Sequence, residues 1–162
     1  MEFTKRYVAK SDLLTFINQQ YAIKGERIRL YRTSQGRVFF IQTPTGRKVF
    51  KLYLPTVTDA AIQTTRIITY LDGCGYPIVK LIPTLSGTLY ITVERSEGSC
   101  VGVLFEYASG TCIGYLHRWR ENNPPPIHRL TRLFARQVGQ MHRLEAVFNF
   151  RNNALKECED LK

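Results

Sequence analysis

The chain has 162 residues, 44% of them apolar, 22% charged and 12% aromatic, enough to build one domain around a hydrophobic core and too apolar for a disordered class. No run approaches the eighteen or so consecutive apolar residues of a membrane span. The first ten residues carry Glu2, Lys5, Arg6 and Lys10 where a secretory signal would need a continuous apolar core. The expected setting is therefore the cytoplasm, with Cys74, Cys100, Cys112 and Cys158 as reduced thiols; no two of them have CxxC spacing, so no metal site is expected. A net charge of +10, from 23 Lys and Arg against 13 Asp and Glu, points to an anionic partner: nucleotide, nucleic acid or an acidic protein surface, with nucleotide ranked ahead of nucleic acid.

In chain order, a first helix is predicted from Ser11, read as its N-cap, to about Tyr21, with Leu13, Leu14, Ile17 and Tyr21 on one face. Three strand-like runs follow: Arg27 to Thr33, Arg37 to Thr43 and Lys48 to Leu54. In the first of them, Ile28, Leu30 and Arg32 alternate onto one face. The connections Ser34-Gln35-Gly36 and Pro44-Thr45-Gly46 are of hairpin length, with glycine where positive φ is often needed, so the three runs form an antiparallel meander. Pro55 closes the third strand. A helix then starts at Thr58 or Asp59 and ends at Gly73 and Gly75, before Pro77. Ile78 to Ile82 reads as a short extended piece. Two more strands, Thr88 to Glu94 and Val101 to Tyr107, flank a Glu97-Gly98 turn. After Pro124-Pro125-Pro126, the residues Ile127, Leu130, Leu133, Phe134, Val138, Met141, Leu144 and Phe148 form one apolar stripe on a long helix, 127–148; the polar residues beyond could extend it.

Three features of the sheet region combine as a nucleotide cradle. A tight glycine turn, Ser34-Gln35-Gly36, lets backbone N–H groups approach phosphates. Lys51, inside the third strand, supplies a fixed ammonium beside them, and a helix follows that strand directly. Taken singly each has a plainer meaning: glycine for the hairpin, and a lysine whose head reaches solvent along an apolar stem.

At this point the sequence resembles a known family, the aminoglycoside phosphotransferase and homoserine-kinase-like branch of the protein-kinase-like fold. Arg47-Lys48-Val49-Phe50-Lys51-Leu52-Tyr53 is similar to that family's third strand, whose lysine contacts the α and β phosphates. Ile67 to Pro77 is similar to the end of its C helix and the loop after it. Leu104-Phe105-Glu106-Tyr107-Ala108-Ser109-Gly110 looks like its hinge, where backbone groups meet adenine. Leu133 to His142 looks like the helix after the linker. The likeness spans roughly residues 26 to 145. It implies ATP or GTP with Mg as cofactor, transfer to a small-molecule hydroxyl, and nucleotide contacts from Ser34, Gln35, Gly36, Lys51, Phe105, Glu106 and Tyr107.

Two departures from the family pattern bear on activity. The C-helix glutamate that pairs with the strand lysine falls near Thr64, where Gln63, Thr64 and Thr65 are all uncharged. The family's HxDxxxxN catalytic run has one near match, His142-Arg143-Leu144-Glu145-Ala146-Val147-Phe148-Asn149, with Leu144 in place of the aspartate; it reads as helix. Neither a catalytic residue nor a metal site is expected. His117, His128, Glu94, Glu97 and Glu106 form no pattern of acid–base or nucleophilic catalysis, while Tyr115, His117, Arg118, Trp119 and Arg120 could contact a phosphate or base.

The resulting expectation is an α+β protein-kinase-like N-lobe: a five-stranded antiparallel sheet with a C-type helix, then a linker and a long helix. Residues 1–110 would be the nucleotide-facing lobe, 111–126 the linker, and 127–162 the first helix of a second, missing carboxy-terminal lobe. The expected function is that of the nucleotide-binding portion of a small-molecule kinase, inactive by itself. The competing readings are a regulatory or binding module of the same fold and a basic adaptor for nucleic acid. Helix 127–148, deprived of the second lobe, would turn its stripe to another copy as a homodimer contact.

Overall fold

The computed structural model describes residues 10–33, 36–95, 98–109 and 127–159. The expected residues Ser34, Gln35 and Glu97, and the linker cluster from Tyr115 to Arg120, lie outside them. The chain divides into two compact units: Met1–Thr69 with Ile78–Tyr107, and Tyr70–Pro77 with Ala108–Lys162.

In the first unit, helix α1 (Lys10–Gln20) precedes strands β1 (Arg27–Thr33), β2 (Gly36–Thr43) and β3 (Gly46–Tyr53). A 3-10 turn, Pro55–Val57, leads into helix α2 (Thr58–Gly73); β4 (Ile91–Arg95) and β5 (Gly98–Glu106) complete one antiparallel sheet of order β1-β2-β3-β5-β4. Alternation along the strands sends two sets of side chains to opposite faces. On one face, Phe39, Ile41, Phe50, Leu52, Ile91, Val93, Cys100 and Leu104 bury against Leu13, Ile17 and Tyr21 of the α1 segment. On the other, Tyr53, Val101, Val103 and Phe105 bury against Ala61 and Ile68 of α2. The connection from α1 to β1 is held by Asn18, whose side-chain amide donates to Gly25 O (2.9 Å) and accepts from Gly25 N–H (2.8 Å).

Four local expectations need correction. Helix α1 begins at Lys10, so Ser11 is its second residue and not the N-cap; its hydroxyl donates to the Asp12 carboxylate (3.2 Å). Strand β1 does not alternate cleanly, because the register shifts between Leu30 and Arg32. The extra residue in such a bulge turns the residues beyond it to the other face, so Leu30 and Arg32 no longer share one. Strand β4 starts at Ile91, not Thr88: the Thr88 N–H bonds to the Thr84 hydroxyl (3.0 Å) and its carbonyl accepts from Thr84 N–H (2.8 Å), a local turn that competes with the ladder. Gly46 and Gly98 do take positive φ (123° and 118°), but Gly36 does not. A Cβ on Gly36 would collide with the carbonyl oxygen of Leu52, so glycine there permits close approach of β3. The extended piece at 78–82 is present: Leu81 bridges to Phe105, and Ile82 N–H donates to Leu104 O (2.9 Å).

In the second unit, the end of α2 is closed by Gly75 at φ 71°, with Tyr76 N–H bonded to Leu71 O and Gly75 N–H to Asp72 O (both 2.9 Å). This pair of bonds is the Schellman cap that a left-handed glycine makes possible. Helix α3 (Ile127–Glu159) runs eleven residues past the expected Phe148. It receives the Tyr76 hydroxyl on Gln137 O (3.2 Å) and the Tyr70 ring on Phe148 (5.2 Å between centroids). The His142 to Asn149 run lies wholly inside this helix, as its apolar periodicity predicts.

Candidate functional site

Lysines at 48 and 51 sit three residues apart on β3 and therefore project from opposite faces of the sheet. Lys48 stands opposite Glu106 in the β3–β5 register and donates to both carboxylate oxygens (2.8 and 2.6 Å). The pair lies on the α1 face, where with Ala22, Ile23, Lys24, Thr43, Pro44, Thr45 and Ile82 it lines a cavity of about 520 Å³. Glu106 also commits its backbone N–H, to Lys80 O (2.9 Å).

Lys51 stands opposite Val38 on one side and Val103 on the other, on the face that α2 covers only in part. The α2 cluster ends on β3; toward β2 and β1 the same face carries Val38, Phe40 and Tyr31, half-buried or exposed. Lys51 is itself half-buried, and its Nζ lies 4.2 Å from the centroid of the Tyr53 ring, its neighbour two residues on. No carboxylate pairs with it among the described residues. On α2 the inward positions are Ala61, Thr65 and Ile68; Thr65 is buried and turns its hydroxyl back to Ile62 O (2.7 Å), while Thr64 is exposed. A carboxylate is thus missing from the inward face as well as from the sequence position.

At the other end of this face, four residues and about 13 Å along β3, lies an aromatic cluster capped by arginine. Phe40 meets Tyr31 (4.5 Å) and, edge-on, Tyr107 (5.9 Å); the Arg47 guanidinium sits over Phe40 (5.2 Å) and Tyr107 (5.0 Å). The register explains the grouping. Phe40 pairs with Val49, and Val49 with Phe105, so Arg47 and Tyr107 fall one step further out on the same face. Such rings offer stacking surface, and the guanidinium offers charge and donors.

Of the residues expected to contact nucleotide, Lys51, Phe105 and Tyr107 share this face. Gly36 lies beside it, opposite Tyr53, and the Glu106 side chain belongs to the opposite face. Sequence reading missed Arg47, Phe40 and Tyr53 as members; the signal for Tyr53 was its two-residue spacing from Lys51. Among the described residues no group of three His, Cys, Asp or Glu could hold a metal ion, and no helix is long and apolar enough to cross a membrane.

No protein-family model and no curated protein matches the sequence. Solved structures do match. The amicoumacin kinase hAmiN, in complex with AMP-PNP, Ca2+ and Ami, is 14% identical at a TM-score of 0.54, over 65% of this chain and 33% of that one. A microcompartment-associated aminopropanol kinase is 12% identical at 0.52, over 64% and 33%. Spectinomycin phosphotransferase APH(9)-Ia, in complex with ADP and spectinomycin, is 15% identical at 0.50, over 64% and 31%. This chain has the protein-kinase-like N-lobe fold. The kinase-like lobe expected from the strand, hinge and C-helix segments is thereby present as a fold, and the chain spans about a third of the length of each of these small-molecule kinases.

Proposed function

We propose that this kinase-like lobe is the nucleotide-binding portion of a phosphotransferase that moves a phosphoryl group from ATP or GTP to a small-molecule hydroxyl. The observation that carries the reading is Lys51: a half-buried ammonium without a described carboxylate partner, on a face with room beside it. An ammonium so placed attracts the α and β phosphates, and Ser34-Gln35-Gly36 would bring backbone N–H groups to them. The base would lie toward Phe105 and Tyr107. The Glu106 carboxylate is occupied by Lys48, so Glu106 would take part through its backbone carbonyl. Among the described residues no group of three His, Cys, Asp or Glu could hold a metal ion by itself, so magnesium would arrive with the nucleotide, held chiefly by its phosphates. Transfer needs an aspartate beside the acceptor hydroxyl, which His142 to Asn149 does not provide, so this chain alone is expected to bind without turnover. Cys74 carries a free thiol at the surface, which suits a cytoplasmic setting.

Calorimetry with Mg-ATP and Mg-GTP tests the reading. Lys51→Met should weaken binding by about tenfold or more, the scale of a lost charge-assisted contact. Equal affinity in the variant would remove Lys51 from the site. Binding to generic DNA or RNA that falls steeply with salt would favour the nucleic-acid adaptor instead.

We further infer that α3 mediates self-association. Leu133 and Phe134 are 49% and 62% exposed on it, against half-buried Val138, Met141 and Leu144. Sedimentation should show a dimer that Phe134→Ser dissociates; a monomeric parent chain would exclude the contact.

A further inference from the structure

The lobe holds its strand lysine without the carboxylate that its C-type helix would supply in the family it resembles. Three observations say what replaces it. Lys51 Nζ stands 4.2 Å from the Tyr53 ring centroid, within reach of a cation–π attraction. Tyr53 is only 9% exposed and belongs to the cluster of Ala61, Ile68, Val101, Val103 and Phe105, so its ring is fixed by packing on both α2 and β5. Among the described residues no carboxylate pairs with Lys51. Glu106 is committed to Lys48 on the opposite face, and Asp59, in the first turn of α2, is exposed.

The geometry points to Tyr53 as the positioning residue for Lys51, a ring doing by its face what a helix carboxylate does elsewhere. This rests on the nucleotide reading and deepens it. A carboxylate and a ring are not equivalent partners. The carboxylate takes ammonium N–H groups and cancels its charge, so that phosphates must compete with it. The ring attracts the cation through its quadrupole, takes up one side of the ammonium, and leaves the full positive charge for an incoming anion. The site therefore selects for the most highly charged end of its ligand, a di- or triphosphate, and has no need of a helix movement to bring a glutamate into place.

The test uses the whole chain in two measurements. In the free protein, NMR reads the ε-methylene signal of Lys51, assigned by difference from Lys51→Met. A proton above an aromatic face is displaced upfield, so the wild type and Tyr53→Phe should both show the displacement and Tyr53→Leu should lose it. Calorimetry then reads Mg-ATP affinity: roughly 2- to 30-fold weaker in Tyr53→Leu, the range of a cation–π contact from exposed to desolvated, and within about twofold of wild type in Tyr53→Phe. If Tyr53→Leu does not fold, replacing Tyr53 by progressively fluorinated phenylalanines keeps the shape and drains charge from the ring face; affinity should fall with each fluorine.

An undisplaced Lys51 signal in the wild type overturns the pairing. Affinity that is unchanged in Tyr53→Leu, or along the fluorinated series, overturns the positioning role. A displaced signal in a protein that binds no nucleotide supports the pairing and defeats the nucleotide reading instead, so the two failures are distinguishable.

Discussion

Lys48 and Lys51 occupy one strand, three residues apart, and differ in almost everything that decides what a lysine does. Lys48 faces the α1 side, is 15% exposed, and has both oxygens of Glu106 within 2.8 Å. Lys51 faces the partly covered side and rests on a ring. The first is a neutralised pair that ties β3 to β5; the second has no carboxylate partner among the described residues and stands beside a partly covered face. The difference is made by strand parity and by what the facing strand or helix offers, since the two side chains are chemically identical.

The largest effect should come from opening the closed face. Phe50 is fully buried among Phe39, Leu52 and Leu104 on the Lys48 side. Phe50→Ala should cost about 3–5 kcal/mol in urea unfolding; a loss under about 1 kcal/mol would mean the α1 face is not the principal core. Next comes the contrast itself. Lys48→Met should lower stability by about 0.5–1 kcal/mol, because Glu106 is 46% exposed and solvent screens the pair, and it should leave Mg-ATP affinity unchanged. Lys51→Met should do the reverse, losing nucleotide with little effect on unfolding. Matching phenotypes in the two variants would break the comparison.

The smallest effect at neutral pH concerns Tyr21. Burial pushes its phenol well above its ordinary value, with the Leu104 backbone opposing in part. The folded state thus holds this proton more tightly than the unfolded chain does. Stability is unaffected below about pH 10 and falls as pH rises beyond it. Tyr21→Phe should flatten that alkaline slope in thermal melts; an unchanged slope would assign it to other groups.

Much of the fold was legible because its signals are local. The meander β1-β2-β3, the helix from Thr58 and the Gly75 stop each arise from residues a few positions apart. The errors have local physical causes that propensity does not record: a hydroxyl at Thr84 that captures the Thr88 N–H, and a bulge at Tyr31 that breaks alternation. The site was half legible. Lys51, Phe105 and Tyr107 could be singled out in the sequence, but which face each occupies depends on register between strands far apart in the chain. Glu106 shows this best, since its partner Lys48 lies 58 residues away and becomes visible only once β5 is seated beside β3. Tyr53, two residues from Lys51, was within reach of the alternation rule alone.

The sheet order β1-β2-β3-β5-β4 has a kinetic consequence. The meander and the β4–β5 hairpin are each closed by turns of a few residues and can form early and independently. Among the ladders between the described strands, the seam between β3 and β5 is the pairing that must close a long loop, with the whole of α2 inside it. That seam is also where Lys51 meets Val103 and where Arg47 reaches Tyr107. The lobe can therefore be largely ordered before the face that carries Lys51 and Arg47 is assembled, and that face is completed by the slowest of its strand-pairing steps.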